Sequence, residues 1–119
     1  MTKLRLIGLG AALLGSLCAT GCATRAKPLY YWGEYQPQVY EYFKGDGNSP
    51  EQQIAKLEET VQKAHATDAA LPPGYHAHLG LLYMKTGKED QVKQQFETEK
   101  TLFPESAPFM DFLLNKFKK

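Results

Sequence analysis

PPGYHAHLGLLYMKTGK, residues 72 to 88, is the stretch on which the fold turns. Prolines 72 and 73 and Gly74 interrupt whatever precedes them. From Gly74 or Tyr75 to Thr86 nothing stops a helix, and Gly87 supplies the stop. A second helix is expected from about Glu89 to Leu102 or Phe103, ended by Pro104. Two helices joined by so short a turn lie side by side, and they approach closely only where one of them is small. Gly80 removes a side chain at that crossing, while Leu79, Tyr83 and Phe96 fill the seam. Downstream, Ser106 reads as the cap of a last helix running to about Phe117, with Pro108 in its first turn. Upstream, Ser49-Pro50-Glu51-Gln52 is a strong helix start: serine caps, proline opens the first turn and Gln52 completes a capping box. Ile54, Leu57, Val61 and Ala64 recur at three and four residues, which predicts an amphipathic helix to about residue 66. Before it, QVYEYF has room for two helical turns beginning near Pro37 and stopped by Gly45-Asp46-Gly47. No segment of useful length alternates with period two, so the expected class is all-α.

Residues 76 to 83 read H-x-x-L-G-x-x-Y. This resembles the first helix of a tetratricopeptide repeat, W-x-x-L-G-x-x-Y, whose second helix carries alanine, phenylalanine and a terminal proline. Val92 stands at the alanine position, Phe96 supplies the ring and Pro104 ends the helix. His76 replaces the usual tryptophan, so the first turn packs less apolar area. Val92 and Glu99 replace small residues, which implies a slightly wider pair. Met110, Leu113, Leu114 and Phe117 repeat the spacing of the first helix. The expected architecture is therefore one full helical hairpin, a half-repeat after it, and the helix 50–66 packed in front.

A different signal occupies the front of the domain. LYYWGEYQPQVYEYF, residues 29 to 43, contains seven of the chain's fourteen aromatic residues. A helical stack needs about three repeats before its core is continuous, and this chain has one and two halves. The aromatic segment can serve as the missing layer, since each ring buries about 150–250 Å². A competing reading has it graze a lipid interface, where tryptophan and tyrosine are favoured. It can form a partner-binding patch, or stack on the sugar rings of a cell wall.

The first twenty-one residues stand apart from the fold. Lys3 and Arg5 precede LIGLGAALLGSL, an apolar run of twelve, and small residues lead on to Cys22. A basic start, a short apolar core and small residues before a cut make a secretory signal. The run is too short for a bilayer, which needs about 20 apolar residues. Ala19-Thr20-Gly21-Cys22 resembles a bacterial lipobox, with Ala19 in place of the commoner leucine. The resemblance implies that residues 1–21 are removed and that Cys22 is acylated. Each buried methylene then contributes about 0.8 kcal/mol to anchoring. Ala23 follows the cysteine where an inner-membrane lipoprotein carries aspartate, which implies the outer membrane. Residues 22–28 form a short tether, and residues 29–119 the helical domain. With Cys18 cut away with the signal, one cysteine remains and no internal disulfide can form.

The chain carries 14 Lys and Arg against 13 Asp and Glu. Such a balance, without a clustered basic face, does not point to nucleic acid. Lys116, Lys118 and Lys119 suit the negative end of a last helix. No catalytic constellation is legible. His76 and His78 stand two apart and point to different faces, so they do not chelate a metal together. The three histidines are expected as one half-buried and two exposed. Glu58-Glu59, Glu89-Asp90, Glu97 and Glu99 read as solvated helix faces. GDGN at 45–48 lacks the carboxylates of a calcium loop. No enzyme activity, cofactor or metal is expected.

LYYWGEY, the stretch 72 to 88, FETEKTLFPES and FMDFLL together resemble a family of small proteobacterial lipoproteins of unknown function, over about residues 29 to 115. The resemblance implies a lipidated, periplasm-facing helical protein without assigned activity. It also implies a place beside a curli-secretion-like lipoprotein in an envelope complex. On this reading the chain is an outer-membrane lipoprotein that serves as a non-catalytic protein-interaction adaptor. Its expected contact residues are Tyr75, His78, Leu82 and Tyr83 on the first repeat helix, with Trp32 and Tyr35 beside them. The alternative is a structural lipoprotein that binds peptidoglycan or glycans through the aromatic segment.

Overall fold

A computed structural model describes residues 24–118. The expected signal sequence, Cys22 and Lys119 lie outside the described residues. Within them the chain is helical, with five α-helices and no strand: α1 (Tyr35–Lys44), α2 (Pro50–Ala66), α3 (Tyr75–Lys85), α4 (Glu89–Leu102) and α5 (Ala107–Phe117). A short 3-10 turn, Pro104–Ser106, joins α4 to α5. Each helix packs against the next in order along the chain.

Local chemistry sets most of the boundaries. Ser49 Oγ accepts the Gln52 N–H at 3.3 Å, and the Ser49 N–H donates to Gln52 Oε1 at 3.0 Å. This reciprocal box starts α2 with Pro50 behind it. Gly87 turns the chain between α3 and α4 at φ +70°, where a residue with a Cβ is strained. The start of α1 lies two residues before Pro37, at Tyr35, whose N–H donates to the Trp32 carbonyl at 2.9 Å. Pro37 is tolerated inside the first turn because the N–H groups there have no intrahelical acceptor to lose. Ser106 does not cap α5 with its side chain. Its backbone is helical rather than extended, since the 3-10 turn already satisfies its N–H through the Phe103 carbonyl at 2.9 Å.

One core runs through α2, α3, α4 and α5. Ile54, Leu57, Leu79, Leu82, Val92, Phe96, Met110 and Leu114 are buried together, with Tyr75 and Tyr83 among them. Tyr31, Tyr35 and Tyr42 are partly buried against it. The α3–α4 crossing is tight at Gly80. A Cβ added there would lie 2.7 Å from Phe96 Cδ1 and nearer still to Cε1. Only glycine lets the Phe96 ring rest on the α3 backbone.

Candidate interaction surface

Four of the six expected contact residues are interior. Tyr75 and Leu82 are fully buried, and Tyr83 and His78 are almost so. They meet other parts of this chain, and no partner reaches them while the helices stay together. The face of α3 that carries Leu79 and Tyr83 turns inward, and the leader and α1 cover what it leaves. Only Trp32, at 45 % exposure, and the half-buried Tyr35 remain accessible.

The buried rings hold the front of the domain together. The Tyr35 ring lies 5.1 Å from Tyr75 and 6.1 Å edge-on from His78. Tyr42 meets His78 edge-on at 5.1 Å, and the Lys85 ammonium sits 3.8 Å from the centre of the Tyr42 ring. The Tyr75 hydroxyl donates to the Leu57 carbonyl at 2.7 Å, which ties α3 to α2. The Tyr83 hydroxyl donates to Glu58 on α2. Burial pushes the Tyr35, Tyr75 and Tyr83 phenols above their ordinary range, and the nearby Glu99 charge adds to this at Tyr35. All three stay protonated, and Tyr75 and Tyr83 use that proton as hydrogen-bond donors.

His78 is buried among these rings, and its Nε2 has no hydrogen-bond partner. Burial first, and the Lys85 charge second, push its pKa down to about 4. The expected pair of exposed histidines is thus corrected: His65 is exposed, His76 half-buried and His78 interior. His76 Nδ1 meets Gln95 Oε1 on α4 at 2.7 Å. An amide oxygen only accepts, so Nδ1 carries the proton there. Among the described residues no three His, Cys, Asp or Glu side chains gather as a metal site.

Glu99 departs furthest from the expected solvated face. It is 2 % exposed, and its carboxylate accepts the Gly74 N–H at 2.7 Å and the Ala77 N–H at 3.4 Å. Gly74 has no side chain to cap α3, so a carboxylate from α4 takes the role. The positive end of the helix favours that charge. Glu58 is likewise engaged, by Tyr83.

The surface that remains is apolar in two places. On the leader and α1, Leu29, Trp32, Tyr40 and Phe43 are exposed. At the other end of the chain, Leu102, Phe109 and Phe112 are exposed. The Phe109 and Phe112 rings stack at 6.3 Å and 17°. The inward set of α5, Met110 and Leu114, follows the expected spacing; Phe109 and Phe112 are the apolar residues outside it. That excess was the available sequence signal for this patch. Between α4 and α5 runs an open groove of about 540 Å³, lined by Glu89, Asp90, Lys93, Glu97, Leu114 and Phe117. Among the described residues no helix is long and apolar enough to cross a membrane.

Residues 29–113 match the family model described as a domain of unknown function, DUF4810. No curated protein and no solved structure matches the chain. The match begins at the aromatic leader and reaches into α5, so it spans the whole interlocked set of helices, and the chain belongs to the DUF4810 family.

Proposed function

We propose that this protein is an outer-membrane lipoprotein whose helical domain acts as a non-catalytic adaptor in a cell-envelope complex. Acyl chains on Cys22 hold it, and the tether from residue 22 to 28 keeps the domain close to the bilayer. The domain itself is tetratricopeptide-like. Helices α3 and α4 form an antiparallel hairpin: Glu99 near the end of α4 meets the start of α3, and Gly80 and Phe96 meet at mid-length. Helix α5 is a half-repeat that follows the spacing of a repeat's first helix. The aromatic leader closes the other end of the stack.

The observation that carries the adaptor reading is the stacked pair Phe109 and Phe112, 58 % and 50 % exposed on the terminal helix. A monomer rarely leaves adjacent large rings in water unless something covers them. Aromatic anchors of this kind are typical of binding hot spots. A partner that lays an apolar helix face on α5 would supply the layer the stack lacks. The non-catalytic part of the reading draws on the histidines: His78 sits among rings, and His76 is occupied by Gln95.

Crosslinking in native outer membranes, followed by affinity recovery and mass spectrometry, tests the proposal. A second envelope protein is expected in the crosslinked product, with the curli-secretion-like lipoprotein the first to seek. The double substitution Phe109→Ser and Phe112→Ser should abolish that product and leave the helices folded. Recovery of the protein alone under several crosslinkers would refute the adaptor role.

A further inference from the structure

Helix α1 is aromatic on both sides, and only one side is used by the fold. Tyr35, Gln38 and Tyr42 recur at three and four residues and turn inward, where Tyr35 and Tyr42 pack on the core and Gln38 is 1 % exposed. Tyr40 and Phe43 stand three apart on the opposite side, 65 % and 78 % exposed. Trp32 and Leu29, just ahead of the helix, are exposed as well. A short helix in a small domain needs one apolar face to dock. A second one, in a segment that also exposes a tryptophan and a leucine, needs another medium.

We infer that this outer face of the leader and α1 rests in the headgroup layer of the membrane that carries the protein. The inference depends on the lipid anchor of the proposed function. Three features favour lipid over a protein partner at this face. The first is reach: Leu29 follows Cys22 by seven residues, so even a fully extended tether spans only about 25 Å. A chain held at Cys22 by acyl groups cannot carry Trp32 far from the surface. The second is residue type, since Trp and Tyr with Leu and Phe make up the belt side chains adopt at an interface. The third is charge. Arg25 and Lys27 are exposed on the tether. Lys44 closes the helix and pairs loosely with Asp46 at 3.5 Å. Of the nearby anions, the half-buried Glu41 accepts the Asn48 N–H at 3.2 Å, and Glu34, which accepts the Gln38 amide at 3.2 Å, stays exposed. The segment therefore meets anionic phosphate groups with three cations, Arg25, Lys27 and Lys44, against two exposed anions, Glu34 and Asp46. Contact there would fix the orientation of the domain and leave α5, at the far end of the helix series, directed to the periplasm.

Trp32 is the chain's single tryptophan and reports on this face directly. The protein is extracted from membranes, its Cys22 lipid is measured by mass spectrometry, and it is reconstituted in phosphatidylethanolamine–phosphatidylglycerol vesicles. Lipids brominated high on the acyl chain should quench Trp32 strongly, and acrylamide in the water should lose access to it. Tyr40→Ser with Phe43→Ser leaves the inward face intact, and should restore acrylamide access while the helical circular dichroism is unchanged. Unquenched Trp32 in a lipidated protein overturns the inference and leaves the anchor standing. Trp32 shielded from acrylamide but blind to bromine means that protein covers the face, which also overturns it. A Cys22 without lipid sinks the anchor reading; the same quenching, measured with excess vesicles, then decides the face by itself.

Discussion

Lowering the pH from 7.5 to 5 should destabilise this domain through one side chain, His78. The ring is buried between Tyr35 and Tyr42, its Nε2 has no partner, and its pKa in the folded chain is down to about 4. In the unfolded chain the same ring takes up a proton near its ordinary 6.5. Above that value both states are neutral and the ring costs nothing extra. As the pH falls, the unfolded state binds the proton first and is favoured. The stability present above 6.5 is therefore lost on the way down to 4, below which both states are charged and the loss levels off. Linkage puts the loss at about 2 kcal/mol by pH 5 and about 3 kcal/mol by pH 4. With a urea dependence of about 1.5 kcal/mol/M, the loss at pH 5 lowers the unfolding midpoint by roughly 1.3 M. The control is His78→Leu, which has no titrating group and no orphaned nitrogen at the site. All other titrating side chains are common to both proteins and cancel in the comparison. Urea unfolding followed by circular dichroism at several pH values reads the difference. The variant should match or exceed the parent at pH 7.5, and gain on it by about 2 kcal/mol at pH 5. Equal losses in the two proteins would refute the assignment of this titration to His78.

Three further outcomes follow from contacts elsewhere. Gly80→Ala gains about 1 kcal/mol of helix propensity, yet drives a methyl into Phe96 at a cost of about 1–3 kcal/mol. The net should be a lower melting temperature, and Phe96→Leu in the same chain should recover part of it; strictly additive effects in a double-mutant cycle would rule out the crossing. Glu99→Ala should cost roughly 1–3 kcal/mol by stranding two half-buried N–H groups, and Glu99→Gln less, because its amide oxygen can still accept. Faster amide exchange at Gly74 and Ala77, read by NMR, would locate the damage at the start of α3. Ser49→Ala should remove about 1 kcal/mol through the lost cap of α2, visible as a lower urea midpoint; an unchanged midpoint would mean that Pro50 alone starts the helix.

Helix boundaries were legible wherever the signal is local. The box at Ser49 and Gln52, the turn at Gly87 and the stop at Pro104 each act within a few residues, so the residues that decide them adjoin the element they bound. Gly80 was legible for a related reason: a helix interior rarely keeps glycine unless a neighbour needs the space. Ser106 misled because its capping chemistry depends on an extended backbone, and the 3-10 turn before it keeps that backbone helical. Four of the six expected contact residues came from a helix that the pattern marks as important without saying whether its residues are core or surface. Tyr75, His78, Leu82 and Tyr83 turned out to be core.

By itself, then, the order of residues determined an all-helical domain over the described residues, most limits of its helices and the place of one close crossing, because capping, turns and periodicity are decided over one or two turns of backbone. Tertiary structure alone decided what each aromatic and charged side chain does. Glu99 is buried because the N–H groups it serves lie 25 and 22 residues away. His78 is neutral because rings from another helix exclude water from it. And α1, aromatic on both sides, has no periodicity to tell its inner face from its outer one; only docking against the core leaves Tyr40 and Phe43 in solvent.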